Sequence, residues 1–193
     1  MSFRSSCGDG EWHCRMFCHP IHTGIGEVLV RPIGPGDADM AQAFVDGLSA
    51  TSRYFRFFAT LKGLSPSMLD RFIRADHPNH LALVGIAGVQ GRQSIVGEAR
   101  YALNNDGATA DIAVVIADAW QRRGVGKGLL EMLERIAAAT GVARLTGESF
   151  AVNETFLSFA RGFGFKIRPD DTDRSFLRIE KQIGSCVRIR SNR

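Results

Sequence analysis

Residues 110–130 constrain the fold of this chain more than any other stretch. A β-branched apolar run, Ile112–Ala117, precedes a glycine-rich loop, Gln121–Gly126, and the loop precedes apolar residues at helical spacing. This order predicts a strand, a loop and a helix in direct succession. The unpaired N–H groups and the dipole at the start of such a helix form an anion-binding site, so a phosphate group is the expected ligand.

Two common phosphate-binding loops do not match the spacing of this one. The nucleotide P-loop requires a glycine at the position of Gln121 and a serine or threonine at that of Gly128. The dinucleotide-binding fingerprint requires a third glycine where Leu129 stands. The pattern that remains is Q-x-x-G-x-G between a strand and a helix, with an ordinary glycine-rich turn as its alternative.

Length and composition indicate a globular protein. The 193 residues suffice for one domain with a buried core, and the 45% hydrophobic and 23% charged contents are ordinary. No apolar run is long enough to span a membrane and no secretory signal is visible, which predicts a cytoplasmic protein. Three units of the net charge of +4 come from Arg188, Arg190 and Arg193, so no specific nucleic-acid partner is expected. The oligomeric state stays open.

The first 26 residues are rich in cysteine and histidine but show no periodicity. Cys7, Cys14, Cys18 and His19 are chemically suitable zinc ligands, yet their spacing matches no zinc ribbon or finger. We therefore expect residues 1–26 to form a flexible leader and expect no bound metal. Residues 27–183 form the predicted folded domain, and residues 184–193 form a basic tail.

The folded domain is predicted to combine a strand meander with several helices. Predicted helices cover Ala38–Leu48, Ser65 to about Ala75, the segment after the glycine-rich loop to about residue 140, and Glu154–Arg161, with Asp37, Ser65 and Asn153 as N-caps. Predicted strands are Val28–Pro32, His80–Ala87, Ser94–Leu103, Thr109–Ile116, Arg144–Phe150 and short strands ending near Arg174–Ile183. The Asn104–Gly107 turn makes the middle three strands an antiparallel meander.

Four blocks of the chain, in this order, resemble the acetyltransferase domain of bacterial Pat-type protein lysine acetyltransferases, which belong to the GNAT superfamily. They are Leu48–Phe58, Ile95–Tyr101, Ala110–Val114 with Gln121–Leu130, and Leu145–Glu148 with Asn153 and Gly162–Phe165. The resemblance extends from about Val28 to Ile183. It implies an α+β fold with a central, mostly antiparallel, splayed sheet and helices on both sides, and acetyl-CoA as the co-substrate.

The resemblance also implies where acetyl-CoA would bind. A slot would open where the Thr109–Ile116 and Arg144–Phe150 strands separate, and the pantetheine amides would pair there with backbone groups as a missing strand would. The implied backbone partners are Val114, Val115 and Ile116, and Asn153 would lie near the pantetheine arm. The implied pyrophosphate loop comprises Gln121, Arg122, Arg123, Gly124, Val125, Gly126, Lys127 and Gly128, whose glycines allow close approach and whose basic side chains add charge.

Acetyl transfer to an amine needs a proton acceptor, because a lysine side chain with a pKa of about 10.4 is almost fully protonated at neutral pH. Asp111 stands where the Pat-type domain usually carries a glutamate, and the resemblance implies that it is this general base. Aspartate is one methylene shorter, which favours an intervening water. The alternative is that Asp111 caps the turn at Asp106 and Gly107.

Three functions remain open at this level. Transfer to a protein lysine is implied by the resemblance. Transfer to a small amine is disfavoured because the position of the tyrosine acid of many small-molecule relatives holds Ala160. A catalytically silent acetyl-CoA sensor is the third, since Asp111 replaces the glutamate.

Two further groups are expected to be structural or solvent-facing. His80 and Glu98 are polar residues at or near a strand; reaching a cleft from neighbouring strands is the alternative, and they are expected to face solvent. The aromatic residues within Ser52–Phe58 are expected to pack in the core around a short helix, because no basic groove accompanies them.

Overall fold

The computed structural model of the chain describes residues 19–89 and 91–184. Within these residues, eight strands form one sheet: β1 His19–Thr23, β2 Gly26–Pro32, β3 His80–Val89, β4 Arg92–Leu103, β5 Thr109–Ile116, β6 Arg144–Phe150, β7 Lys166–Pro169 and β8 Phe176–Gln182. Five α-helices accompany it: α1 Ala38–Gly47, α2 Ala50–Phe57, α3 Pro66–Ile73, α4 Val125–Ala139 and α5 Glu154–Gly162.

The strands follow the order β1-β2-β3-β4-β5-β6-β8-β7 across the sheet. Every neighbouring pair is antiparallel except β5 and β6, which run parallel. The parallel pair arises because α4 crosses over between the two strands, as a parallel connection requires. This arrangement confirms the predicted α+β fold with a mostly antiparallel sheet.

Two hydrophobic clusters lie on opposite faces of the sheet. One contains the apolar stripe of α4, including Leu129, Leu130 and Leu133, together with Leu157 of α5. The other contains residues of α1 and α3, such as Phe44 and Phe72, packed against β3, β4 and β5. Helices therefore cover both faces, as predicted, and alternate residues of β5 contribute to opposite clusters.

The turn before β5 is capped by its own aspartate. Asp106 Oδ1 accepts hydrogen bonds from the N–H groups of Ala108 and Thr109, at 2.9 and 2.8 Å. The alternative in which Asp111 caps this turn is therefore wrong. The antiparallel meander over β3, β4 and β5 is confirmed.

The N-terminal segment differs from the prediction over residues 19–26. These residues form β1 and the start of β2, joined as an antiparallel hairpin at the edge of the sheet. The short strand has no clear alternation in its sequence, which is why it was predicted as a leader. The cysteines of the leader, and residues 185–193 of the predicted tail, lie outside the described residues.

Two of the three predicted N-caps are confirmed. Ser65 Oγ accepts from the N–H of Met68, and the side chain of Asn153 accepts from the N–H of Phe156. Asp37 occupies the N-cap position of α1 but makes no side-chain cap bond there.

Asp37 instead holds the chain between β2 and α1. Its carboxylate accepts from Arg31 at 2.6 and 2.7 Å and from the N–H of Gly34 at 2.9 Å. Burial raises the pKa of Asp37, but these hydrogen bonds and the Arg31 charge outweigh it, so the pKa lies below its usual value. A buried carboxylate that accepts from charged and backbone donors stabilises the fold, and truncation of its side chain removes this stabilisation.

We expect Asp37→Ala to lower the free energy of unfolding by about 1–3 kcal/mol at pH 7, because it removes the buried carboxylate that accepts from the part-buried donors of Arg31 and Gly34. Since the folded pKa is depressed, this stabilisation is present above the unfolded pKa of about 3.9 and is lost as the pH falls through the folded value. Urea unfolding at neutral and acid pH measures the difference. The exposed neighbour Asp39 is the control, and an equal effect of Asp39→Ala would contradict the assignment.

Candidate active site

The most unusual feature of the sheet is the short pairing between its two parallel strands. β5 and β6 pair only where Thr109, Ala110 and Asp111 lie beside Arg144, Leu145 and Thr146. Beyond that point β5 stays on β4 as far as Ile116, whereas β6 stays on β8 as far as Phe150. The two strands therefore diverge and leave a slot between them, bordered on one side by the backbone of 113–116.

A glycine stands where the two strands begin to separate. A Cβ atom at Gly147 would lie 3.2 Å from the carbonyl oxygen of Ile112, which is tighter than ordinary contact. A side chain there would require a shift of a few tenths of an ångström, so glycine favours this close approach. Gly147 was not singled out from the sequence, although an isolated glycine within a strand is a signal of close backbone approach.

The glycine-rich loop places the start of helix α4 at the end of β5. Gly124 is the N-cap of α4 with a φ of +90°, a conformation that favours glycine, and Arg122 also has a positive φ of 56°. The N–H groups of Val125, Gly126 and Lys127 fall in the first helical turn, where no intrahelical carbonyl can pair with them. Arg122, Arg123 and Lys127 are exposed beside them, so the predicted residues are brought together.

Two predicted loop residues, Gly128 and Val125, have structural contacts that the sequence did not indicate. The N–H of Gly128 donates to Gly124 O at 3.0 Å, and a Cβ atom at Gly128 would overlap the side chain of Ile21. Its glycine is therefore required by the packing of β1 on α4. The side chain of Val125 is fully buried, so only its backbone can face a ligand.

Gln121 is turned toward the protein. Its side-chain amide donates to the carbonyl oxygen of Ile116 at 3.1 Å and to Ser52 Oγ at 3.4 Å. The side chain therefore fixes the path of the loop as it leaves β5. This contact differs from the direct pyrophosphate contact implied by the resemblance.

Asp118 joins the same loop to helix α2. Its carboxylate accepts from the N–H and Oγ of Ser49, at 2.9 and 2.8 Å, and from Ser52 Oγ at 2.8 Å. Burial raises the pKa of Asp118, but these hydrogen bonds together hold it below its usual value. The sequence gave no signal for this contact because the partners are 66 and 69 residues apart.

Asp111 lies at the point where β5 and β6 separate. Its side chain is exposed, and Thr146 Oγ1 donates a hydrogen bond to its Oδ1. Strand alternation places it on the same face as Ala113 and Val115, and Val115 packs in the cluster with α1 and α3. Thr146 is a site residue that sequence reasoning missed, because the register of the parallel pair brings it to Asp111.

The expectation that Glu98 faces solvent is wrong. Its side chain is 0% exposed and forms ion pairs with Arg56 of α2, at 3.2 Å, and with Arg100 of β4. Arg100 also donates to the carbonyl oxygen of Phe72 at 2.8 Å. Burial lowers the pKa of Arg56, and the Glu98 charge opposes this shift. The cluster attaches α2 to the sheet one strand away from the slot, beside Val115.

His80, in contrast, is exposed as expected.

Asn153 and Ala160, at the start of α5 and within it, have simple structural surroundings. Asn153 caps α5 with its side-chain oxygen, and Ala160, at the position of the tyrosine acid of small-molecule relatives, is buried. In the part of the chain that the structure describes, no group of three or more histidine, cysteine, aspartate or glutamate side chains could hold a metal ion. None of the described helices has the length and hydropathy to cross a membrane.

A sheet that splays beside a glycine-rich helix start defines the GNAT class of acetyltransferases. The family model described as the acetyltransferase (GNAT) family matches residues 49–165, and the chain belongs to this family. It is accordingly an N-acetyltransferase, and enzymes of this family use acetyl-CoA as the acetyl donor.

Two curated relatives support this assignment. An acetyltransferase of Pseudomonas aeruginosa is 30% identical over 154 residues, which cover 79% of this chain and 83% of that protein. The acetyltransferase Pat of Mycolicibacterium smegmatis is 27% identical over 136 residues, which cover 69% of this chain and 40% of that protein.

Solved structures share the fold. The GNAT domain of S. lividans Pat superposes with a TM-score of 0.77 at 25% identity, covering 86% of this chain and 96% of that one. A GNAT-family acetyltransferase from Streptococcus pneumoniae superposes with a TM-score of 0.65 at 21% identity, covering 81% and 99%.

We expect Gly126→Asp to weaken acetyl-CoA binding by at least about 100-fold, because a carboxylate at the helix start repels a diphosphate. Gly126→Ala is the matched control, since its Cβ would meet only Ile116 and Phe159, at ordinary distances of 3.5 and 3.7 Å. Titration calorimetry measures both affinities, and thermal unfolding verifies the fold. Unchanged affinity in Gly126→Asp would contradict the anion-binding role of the loop.

Proposed function

We propose that this chain transfers an acetyl group from acetyl-CoA to a lysine side chain of a protein, with Asp111 as the proton acceptor. The observation that carries the proposal is the exposed Asp111 carboxylate at the point where β5 and β6 separate. The far end of the same slot leads to the helix start of α4. Five residues of strand, or about 17 Å, separate Asp111 from Ile116 at that end.

The slot offers polar groups to an acetyl-CoA molecule. Backbone groups of successive strand residues point to alternate edges, so those of Val114 and Ile116 face the side where β6 has diverged, whereas those of Val115 face β4. The Val114 groups and the Ile116 N–H are therefore available to an extended ligand, while the Ile116 carbonyl oxygen also accepts from Gln121. The N–H groups at the start of α4, with Arg122 and Arg123, favour the diphosphate. We therefore propose that these residues hold the pantetheine arm and the pyrophosphate.

The proposed reaction is a direct transfer. The lysine nitrogen attacks the thioester carbonyl carbon, a C–N bond forms, the C–S bond breaks, and coenzyme A leaves as the thiolate. The proton lost by the amine passes to Asp111, directly or through one water, because an amine must be neutral to attack. The hydrogen bond from Thr146 fixes the orientation of the Asp111 carboxylate. With Ala160 buried at the tyrosine position, the thiolate is released without a tyrosine acid.

Similarity to Pat-type proteins supports a protein lysine as the acceptor. The Mycolicibacterium smegmatis Pat protein and the S. lividans Pat domain are the relevant relatives, and Ala160 argues against the small-molecule enzymes that depend on a tyrosine. A cytoplasmic location belongs to the same proposal.

We expect Asp111→Asn to lower kcat by about 10²–10⁴-fold at pH 7, with little change in acetyl-CoA affinity, because it removes the proton acceptor without altering the loop. Asp111→Glu is the control and should retain activity, since it restores the carboxylate. The deficit of Asp111→Asn should shrink at high pH, where the amine loses its proton unaided. Steady-state kinetics across pH measures this, and equal turnover of parent and Asp111→Asn would remove the base assignment.

The acceptor class is decided by supplying labelled acetyl-CoA with a panel of proteins and of small amines. We expect acetyllysine on proteins, mapped by mass spectrometry. Transfer to small amines alone would replace the protein-lysine proposal with the small-amine alternative, and absence of any transfer would favour the silent sensor.

A further inference from the structure

An aromatic cluster lies at the outer end of β6, and part of it is open to solvent. We define the aromatic patch as Tyr54 and Phe58 of the α2 end together with Phe150 and Phe176. The Tyr54 ring stacks on Phe150 with centroids 4.8 Å apart, and Phe176 and Phe58 lie 4.7 and 5.2 Å from Phe150. Tyr54 is 40% exposed and Phe58 is 44% exposed, so the expectation that these aromatics form core is wrong for both.

The patch lies on the same face of the sheet as Asp111. Thr146 hydrogen-bonds to Asp111, and Glu148 and Phe150 follow it at alternate positions of β6. Alternate residues of a strand share a face, and four residues of strand span about 13 Å. A continuous row therefore runs from Asp111 along β6 to the patch.

The backbone holds Phe58 in an unusual conformation. Phe58 ends α2 with a φ of 54° and a ψ of 24°, a left-handed conformation that bulky residues seldom adopt. In this conformation its ring contacts Phe150 and Phe176 and extends the patch. Exposed contiguous aromatic surface of this kind is typical of interaction sites.

The surroundings of the patch carry more acidic than basic groups, unlike the chain as a whole. The turn between β7 and β8 holds Asp170, Asp171 and Asp173 immediately before Phe176, while Glu148 and Asp111 lie along the row. Glu180 lies opposite Thr146 on the same face. The cations of this face and turn are Arg174, Arg178, Arg168 and Lys166, with Arg178 paired with Asp170 and Glu148 and Arg168 paired with Glu180. Six carboxylates therefore accompany four cations here, whereas the whole chain carries a net charge of +4. This charge favours a basic partner.

We propose that the aromatic patch binds an apolar side chain of the acceptor protein. This side chain belongs to a basic segment and lies within about four residues of the lysine whose nitrogen reaches Asp111. This inference rests on the proposed function and adds a sequence preference to it. The row along β6 sets the distance between the two side chains. The acidic surroundings attract the basic segment, and the rings of Tyr54 and Phe58 supply the apolar contact.

The test uses synthetic basic peptides that contain one lysine and either a leucine or an alanine at each position from four before to four after it. We expect the parent enzyme to prefer leucine by about tenfold in kcat/KM at one or two positions. The double variant Tyr54→Ala with Phe58→Gly should lose that preference. Both changes suit their sites, because alanine favours a helix and glycine favours the left-handed conformation.

The matched control is Ile25→Ala, which removes an apolar side chain of similar exposure, 45%, from the β1–β2 turn. The control should keep the leucine preference. Absence of a preference in the parent enzyme, or its persistence in the double variant, would overturn the proposal.

A binding measurement separates this inference from the proposed function. Fluorescein-labelled peptides with arginine in place of lysine cannot be acetylated at that position, and their affinity is measured by anisotropy in the presence of coenzyme A. We expect the parent enzyme to bind the leucine peptide about tenfold more tightly than the alanine peptide, and the double variant to lose this difference. That result would support the patch even if no peptide is acetylated. Sedimentation velocity measures the oligomeric state of both proteins. A dimer of the parent enzyme that the double variant does not form would show that the patch binds a second copy of this chain, and would overturn the proposal.

Discussion

The parallel pairing of β5 with β6 stops after three residue pairs, and the rest of the site depends on where it stops. Each strand keeps its other neighbour, so both remain ordered while their facing edges diverge. Backbone groups along such an edge need partners, and an extended amide-containing ligand supplies them as a strand would. Gly147 favours the close approach of the strands at this point, because a Cβ atom there would lie 3.2 Å from the carbonyl oxygen of Ile112.

Helix α2 contacts both strands that border the open end of this slot. At its start, Ser49 and Ser52 bind Asp118, which belongs to the loop that leads to α4. In its middle, Arg56 reaches the buried Glu98 of β4. At its end, Phe58 joins the aromatic patch. This short helix without a buried residue is therefore held on the sheet by polar contacts at its start and middle and by aromatic contacts at its end.

Much of the fold follows from local sequence patterns. Periodicity and turn residues predicted the meander of β3 to β5, the helix α4 and the strand β6, because each depends on neighbours within a few residues. The glycine-rich loop before α4 was predicted for the same reason. Thr146, Glu98 and Asp118 were missed or misplaced because their roles depend on strand register or on residues 35 to 69 positions away. Strand β1 was missed because it forms by pairing with β2, and its own sequence shows no alternation of apolar and polar residues.

The contact between Ile21 and Gly128 couples two distant positions of the chain. The hairpin formed by β1 and β2 lies against α4 only because residue 128 has no side chain. A larger residue at 128 is compatible with this fold only if residue 21 becomes smaller or β1 moves away from the helix. The two positions are therefore expected to change together, and a related chain without the hairpin is free of the glycine requirement at this position.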